Sequence, residues 1–147
     1  MTLYAETSAV LRWLFDEPQG AEIDALLRRA DKVMCSRLTL IEVRRVVRRM
    51  VATGQLDEAS AADAFDAFAL AVARWGVLDL SREVTDRAED RFPIEPVRTL
   101  DAIHLASALS LRHAVADLRL LSTDQRVREN GVRLGFEVVP GKGASRA

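Results

Sequence analysis

Arg98 to Arg112, reading RTLDAIHLASALSLR, constrains the architecture more than any other stretch of the chain. From Leu100 to Leu111 every position is apolar except Asp101, His104, Ser107 and Ser110. A helix that is apolar nearly all round must be packed on more than one side, which predicts a layered core. Yet its first turn carries a carboxylate, just after Thr99, a residue type suited to an N-cap. Burying a charge is costly unless something pairs with it. What stands opposite Asp101 is therefore the question the other segments must answer.

At 147 residues the chain fits one domain, taken as residues 1–140, with a full hydrophobic core. GKGASRA, residues 141–147, reads as a mobile tail. The net charge of -1 gives no global field toward nucleic acid or a membrane surface, although a local patch is compatible with it. Cys35 is the only cysteine, which excludes an internal disulfide and a cysteine-based zinc cluster and makes a reducing, cytoplasmic setting the default. The N-terminus lacks the basic leader of a signal peptide, and no apolar run approaches bilayer-spanning length.

Five strand-like segments alternate with helical ones. Thr2 to Ala5 precedes a helix capped by Thr7 or Ser8, and Pro18 opens a second helix whose expected inner face is Ala21, Ala25 and Leu26. Val33 to Ser36 is the second strand. Thr39 and Glu42 then match a capping box at the start of a helix that buries Val43, Val46, Val47 and Met50 and ends at Gly54. Asp57 to Trp75 is an Ala-rich helix with Phe65, Phe68, Ala69 and Val72 on one stripe, followed by a strand from Val77 to Leu80. Ser81 caps a helix to about Arg91, which Pro93 and Pro96 terminate. After the central helix come a strand at Leu118 to Leu121, a short helix from Asp124 to about Gly131, and a strand at Phe136 to Val139. Such alternation predicts an α/β fold, a parallel sheet covered on both faces. In open sheets of this kind ligands bind at the carboxyl ends of the strands.

Four acids are placed for that edge. Glu6 follows the first strand directly, Asp124 follows the fourth, and Glu42 lies in the opening turn of the helix after the second. Asp101 joins them if its helix points its N-terminus the same way. Singly, each has a structural explanation as a cap or as a complement to a helix dipole. Together they do not, because carboxylates about 4 Å apart repel by roughly 4 kcal/mol per pair at an effective dielectric of about 20. Such a cluster takes up protons or holds a cation. An all-oxygen set favours a hard ion, Mg²⁺ or Mn²⁺.

YAETSAVL, SRLTLIEVRR, RTLDAIHLASAL and LLSTDQRV, in this order and spacing, resemble the PIN domain and, more narrowly, the VapC-like toxins of bacterial toxin–antitoxin pairs. The resemblance runs over nearly the whole chain, and the segment around Asp101 is its most specific part. It implies a three-layer α/β/α sandwich and a metal-dependent endoribonuclease whose active site is lined by Glu6, Glu42, Asp101 and Asp124. It further implies Ser122, two residues before the last acid, and Ser8, within the ETSA motif, as polar contacts near the metal. The expected partners are an RNA substrate, a VapB-like antitoxin whose C-terminal segment blocks the acids, and a second copy of the chain. DNA would be met only through the antitoxin. One position departs from the family pattern. The first acid is usually Asp, and Glu6 adds a methylene and roughly 1.5 Å of reach. The alternative reading is thus a catalytically weakened module that binds RNA, or its antitoxin–DNA complex, without cutting.

Arg44, Arg45, Arg48 and Arg49 form the densest basic cluster, on the helix that carries Glu42. Arg44 and Arg48 are candidates for steering an RNA backbone, against a solvated face or a dock for an acidic partner segment. His104, one turn after Asp101, either orients it or is a hydrogen-bonded core histidine. Trp13, Phe65, Phe68 and Trp75 read as packing or interface residues. A doubly wound phosphatase or receiver domain would want a lysine at a strand end. Lys32 and Lys142, the only lysines, are not so placed.

Overall fold

The computed structural model describes residues 1–142; the last five residues of the expected tail lie outside them. The chain runs β1 (Thr2–Ala5), α1 (Thr7–Leu14), α2 (Gly20–Arg29), β2 (Lys32–Ser36), α3 (Arg37–Ala52) and α4 (Glu58–Val72). It continues with β3 (Gly76–Leu78), α5 (Arg82–Ala88), α6 (Thr99–Arg112), β4 (Leu118–Leu121), α7 (Gln125–Arg133) and β5 (Glu137–Val139). The five strands form one parallel sheet in the order β3-β2-β1-β4-β5. The predicted α/β class and five-stranded sheet are therefore found.

Strand alternation divides the core in two. Leu3 and Ala5 point into one layer with Ala9 and Val10 of α1, Ile23 of α2, Val43 of α3 and Phe68 of α4. Tyr4 points the other way, to Ala102, Leu105 and Ala108 of α6 and Val127 of α7. This gives the three-layer sandwich, with α6 pressed between the sheet and α5. Trp75 packs against Trp13 and Phe68 at centroid distances of 6.2 and 6.4 Å, so these aromatics serve internal packing.

Several local expectations are corrected. On α2 the buried residues are Gly20, Ile23 and Leu26, while Ala21 and Ala25 face solvent. The helix starts two residues after Pro18, because Gln19 takes a left-handed conformation with φ of 73°. On α3 the capping box does not form. Ser36 is the N-cap, its hydroxyl accepting from the Leu38 N–H at 3.0 Å, and the Thr39 hydroxyl is buried without a partner. Glu42 is thereby left free for other contacts. On α4 Ala69 is exposed, and the inner face is Ala61, Ala64 and Phe68. Thr99 is the first residue of α6, with Arg98 at the N-cap position. Gly131 does not stop α7 but lies within it, where a Cβ would fall 2.5 Å from a Leu120 methyl. Gly131 lets the helix approach the sheet; the reversal comes at Gly135, with φ of 89°.

Cys35 has no exposed surface, and burial pushes its thiol up to about 12. The thiolate fraction at pH 8 is then about 10⁻⁴, against about a quarter for a free thiol of pKa near 8.5. Iodoacetamide at pH 8 is expected to leave native protein nearly unlabelled and to label Cys35 fully in denaturant. Prompt labelling of the native protein would show that this layer opens.

Among the described residues, no helix is long and apolar enough to cross a membrane.

Candidate active site

The sheet order places a switch point between β1 and β4. The chain leaves β1 toward β2 on one side and leaves β4 toward β5 on the other, which opens a crevice at the carboxyl ends of the two central strands. Glu6 is the first residue beyond β1. Its N–H continues the sheet by donating to Leu121 O at 2.9 Å, while its side chain turns back to cap α1, accepting from the Ser8 N–H at 3.1 Å. Asp124 lies three residues beyond β4 and caps α7, its Oδ1 accepting from the N–H groups of Arg126 and Val127 at 3.0 and 3.1 Å. Glu6, and not Thr7 or Ser8, is thus the N-cap of α1, and Asp124 is the N-cap of α7. Each also has an oxygen left over.

Hydrogen bonds join Glu6, Asp124 and Asp101 into one chain of contacts, and a second set around Thr7 and His104 holds Glu42 beside it. Ser122 Oγ donates to Glu6 Oε2 at 2.7 Å, and Ser8 Oγ donates to the same oxygen. Ser8 Oγ in turn accepts from the N–H groups of Thr123 and Asp124 at 3.0 and 3.1 Å. On the other side of Glu6, Thr7 Oγ1 donates to Glu42 Oε1 at 2.8 Å, and His104 Nε2 lies 2.5 Å from that oxygen. The far nitrogen of His104 meets the Tyr4 hydroxyl at 2.8 Å. With Tyr4 donating to Nδ1, Nε2 is the nitrogen left to donate to the Glu42 carboxylate. Arg98 closes the chain, donating from Nε to Asp101 Oδ2 at 2.9 Å and from Nη2 to Asp124 Oδ2 at 3.4 Å.

His104 is therefore a hydrogen-bonded buried residue, 1% exposed, and the carboxylate it holds is that of Glu42, not Asp101. Period-2 alternation on β1 explains the contact: Tyr4 is the residue of that strand that faces α6. Burial alone would raise the pKa of Glu42, but the His104 and Thr7 hydrogen bonds and the proximity of the imidazole outweigh it, and the group is held below the usual carboxylate range. Glu42 is ionised throughout the neutral range.

By type the donors suit a hard divalent cation. They are all oxygens, and Glu6 is only 5% exposed, with His104 Nε2 at 4.0 Å as its one ion-pair neighbour. A buried carboxylate served by hydroxyls and an amide, with no guanidinium or ammonium paired with it among the described residues, has room for a cation in its charge balance. The cage is not closed, however. Among the described residues no three Asp, Glu, His or Cys side chains are grouped so as to hold a metal ion. Arg98 stands between Asp101 and Asp124, and Thr7 and His104 stand between Glu42 and the remainder.

Arg44 and Arg48 find partners away from these contacts, over the rings of Phe68 and Phe65 at 5.6 and 5.2 Å, where they pack α3 on α4. The cation that does touch the acids, Arg98, was not singled out by sequence, nor were Tyr4 and Thr7. For Arg98 a signal existed: an arginine three residues before a first-turn acid can reach it once the helix forms.

Residues 3–132 match the PIN domain family. Ribonuclease VapC46 of Mycobacterium tuberculosis is 33% identical over 138 residues, spanning 93% of this chain and 95% of that protein. Among solved structures, the fold is shared with M. tuberculosis VapC20, a sarcin-ricin loop cleaving toxin, at a TM-score of 0.64 and 16% identity over 95% of this chain and 100% of that one. It is shared too with VapBC2 from Rickettsia felis bound to a DNA fragment from its promoter, at a TM-score of 0.61 and 11% identity over 95% of this chain and 98% of that one. The acid-bearing crevice sits on the sandwich that these proteins share, and a relative above 30% identity spans almost the full length: the chain belongs to the PIN domain family and stands among its VapC ribonucleases.

Proposed function

We propose that this VapC-type ribonuclease cuts RNA phosphodiester bonds endonucleolytically with a bound Mg²⁺ or Mn²⁺ and acts as the toxin of a toxin–antitoxin pair. The observation that carries the reading is the crevice itself: Glu6, Asp124 and Asp101 joined through Ser8 and Arg98, Glu42 held beside them by Thr7 and His104, and Glu6 in a nearly closed setting. Glu6, Asp101 and Asp124 would hold the ion, with Glu42 beside them. The ion, when bound, supplies a water acidified toward neutral pH and positive charge for the phosphoryl oxygens. The protein's own contribution is to aim the carboxylates. Ser8 and Ser122 fix Glu6, Thr7 and His104 fix Glu42, and the α7 amides fix Asp124.

Glu6→Gln keeps the size of the side chain and one accepting oxygen while removing its charge. It is expected to lower cleavage of total RNA by about 10²-fold or more, with a thermal transition close to wild type. Chelation by EDTA should silence the wild type. Full cleavage in EDTA, or by the glutamine variant, would sink the reading.

An antitoxin partner is proposed on the same footing, supported by the VapBC2 likeness. A cavity of about 360 Å³ that reaches Asp124 is lined by Leu11, Phe15, Val46 and Met50 together with the polar Ser8, Arg12, Glu17 and Gln125, a trough of mixed character. A VapB-like C-terminal segment would lie there. DNA contact through the antitoxin and a homodimer belong to the same proposal.

A further inference from the structure

Asp124 has one oxygen to spare, since its Oδ1 is committed to the N-terminus of α7. Arg98 holds the other. The same guanidinium holds Asp101 Oδ2, so a single positive group spans two of the acids that would serve a metal ion. Its stem is not locked: the Arg98 side chain is 62% exposed, against 13% and 28% for the two carboxylates it bridges. As the N-cap residue of α6 it makes no capping hydrogen bond with its side chain, so the fold does not need the guanidinium there. A long, solvent-facing side chain whose polar contacts are two site carboxylates is a removable counter-charge rather than a structural tie.

We propose that Arg98 is a resident cation, which a divalent ion must displace from Asp101 and Asp124 before it can bind. The inference rests on the metal-dependent reading and deepens it. Two positive groups cannot share these oxygens: at about 4 Å, even at an effective dielectric near 20, a divalent ion and a guanidinium repel by roughly twice the energy of two unit charges. Loading the ion and freeing Arg98 are one exchange. The freed guanidinium is left at the mouth of the crevice, where its fork matches a phosphate. Empty of metal, the Asp101–Asp124 end of the crevice carries Arg98 as its counter-charge. The protein thereby sets a threshold of divalent ion below which the site stays shut.

The test is Mn²⁺ affinity of the full-length, metal-free protein, read from the free-ion electron paramagnetic resonance signal and independent of any RNA. Wild type, Arg98→Ala and Arg98→Lys are compared, with Asp101→Asn to identify the ions bound at this site. Exposed ion pairs are individually weak, so losing two is expected to tighten Mn²⁺ binding by about 3- to 20-fold in the alanine variant. Lysine, a point charge that reaches one carboxylate at a time, is expected to fall between. Equal or weaker affinity in Arg98→Ala overturns this proposal and leaves the metal-dependent reading intact. Absence of Asp101-dependent Mn²⁺ binding in every variant overturns both.

Discussion

Asp101→Asn is expected to reduce RNA cleavage by roughly 10³-fold or more while the protein stays folded. The substitution preserves volume and one carbonyl acceptor, and it removes the charge. Little stability should go with it. The lost partner is a largely exposed arginine, and the dipole interaction at the first turn of α6 is worth a few tenths to about 1 kcal/mol. A shift in Tm of no more than about 3 °C follows. Initial rates on total RNA, beside thermal melts of both proteins, check the two halves together. A variant that cuts within tenfold of wild type would remove Asp101 from the machinery, and with it the reason for a carboxylate at this point of a buried helix.

His104→Ala is expected to act on stability and cleavage at once. The ring is buried between Tyr4 and Glu42, so its removal leaves a cavity and deprives two polar groups of their partner. A destabilisation of about 2–4 kcal/mol follows, or a fall in Tm of roughly 10 °C. Glu42 also loses one of the two donors that aim it, which should lower cleavage about 10- to 100-fold. His104→Gln, which can return an N–H to the place of Nε2, should recover part of both. The pH dependence has a definite sign. Glu42 is depressed in the folded protein, so its contribution is full above the ordinary carboxylate pKa and is lost as pH falls through the depressed value. The stability gap between wild type and His104→Ala should therefore narrow on acidification. A gap that widens toward low pH would mean that the imidazole is not serving Glu42.

How much of this was legible from sequence depends on the range of each interaction. The sheet, the sandwich and the strand-end positions of Glu6 and Asp124 follow from periodicity and from acids abutting apolar runs, both local patterns. Caps were less legible. Thr39 with Glu42 satisfies the capping-box spacing, but the helix begins earlier at Ser36, and Glu42 turns to Thr7 and His104 instead. Inner faces failed where alanine is ambivalent, as at Ala21, Ala25 and Ala69, which sit comfortably in water. The partners of the site were the least legible part. Tyr4 and His104 lie 100 residues apart, and no spacing rule connects a strand residue with a helix that packs across it. The arginines drew attention as a cluster on α3, yet Arg98, outside any cluster, is the one that reaches the acids.

The pairing of β1 with β4 has a consequence for the order in which a ribosome delivers this chain. Glu6 emerges before its hydrogen-bond partner Ser122, which comes 116 residues later. Until β4 is available, β1 has one of its two neighbours, and the crevice has one wall. Prematurely terminated chains that stop short of β4 lack Asp124 and the second wall, whatever else they fold. Pairing β1 with β4 across so long a stretch of chain also carries a loop-closure cost that delays the sheet. Assembly of the four acids thus waits for β4, and a growing polypeptide that has not yet delivered that strand has no competent site.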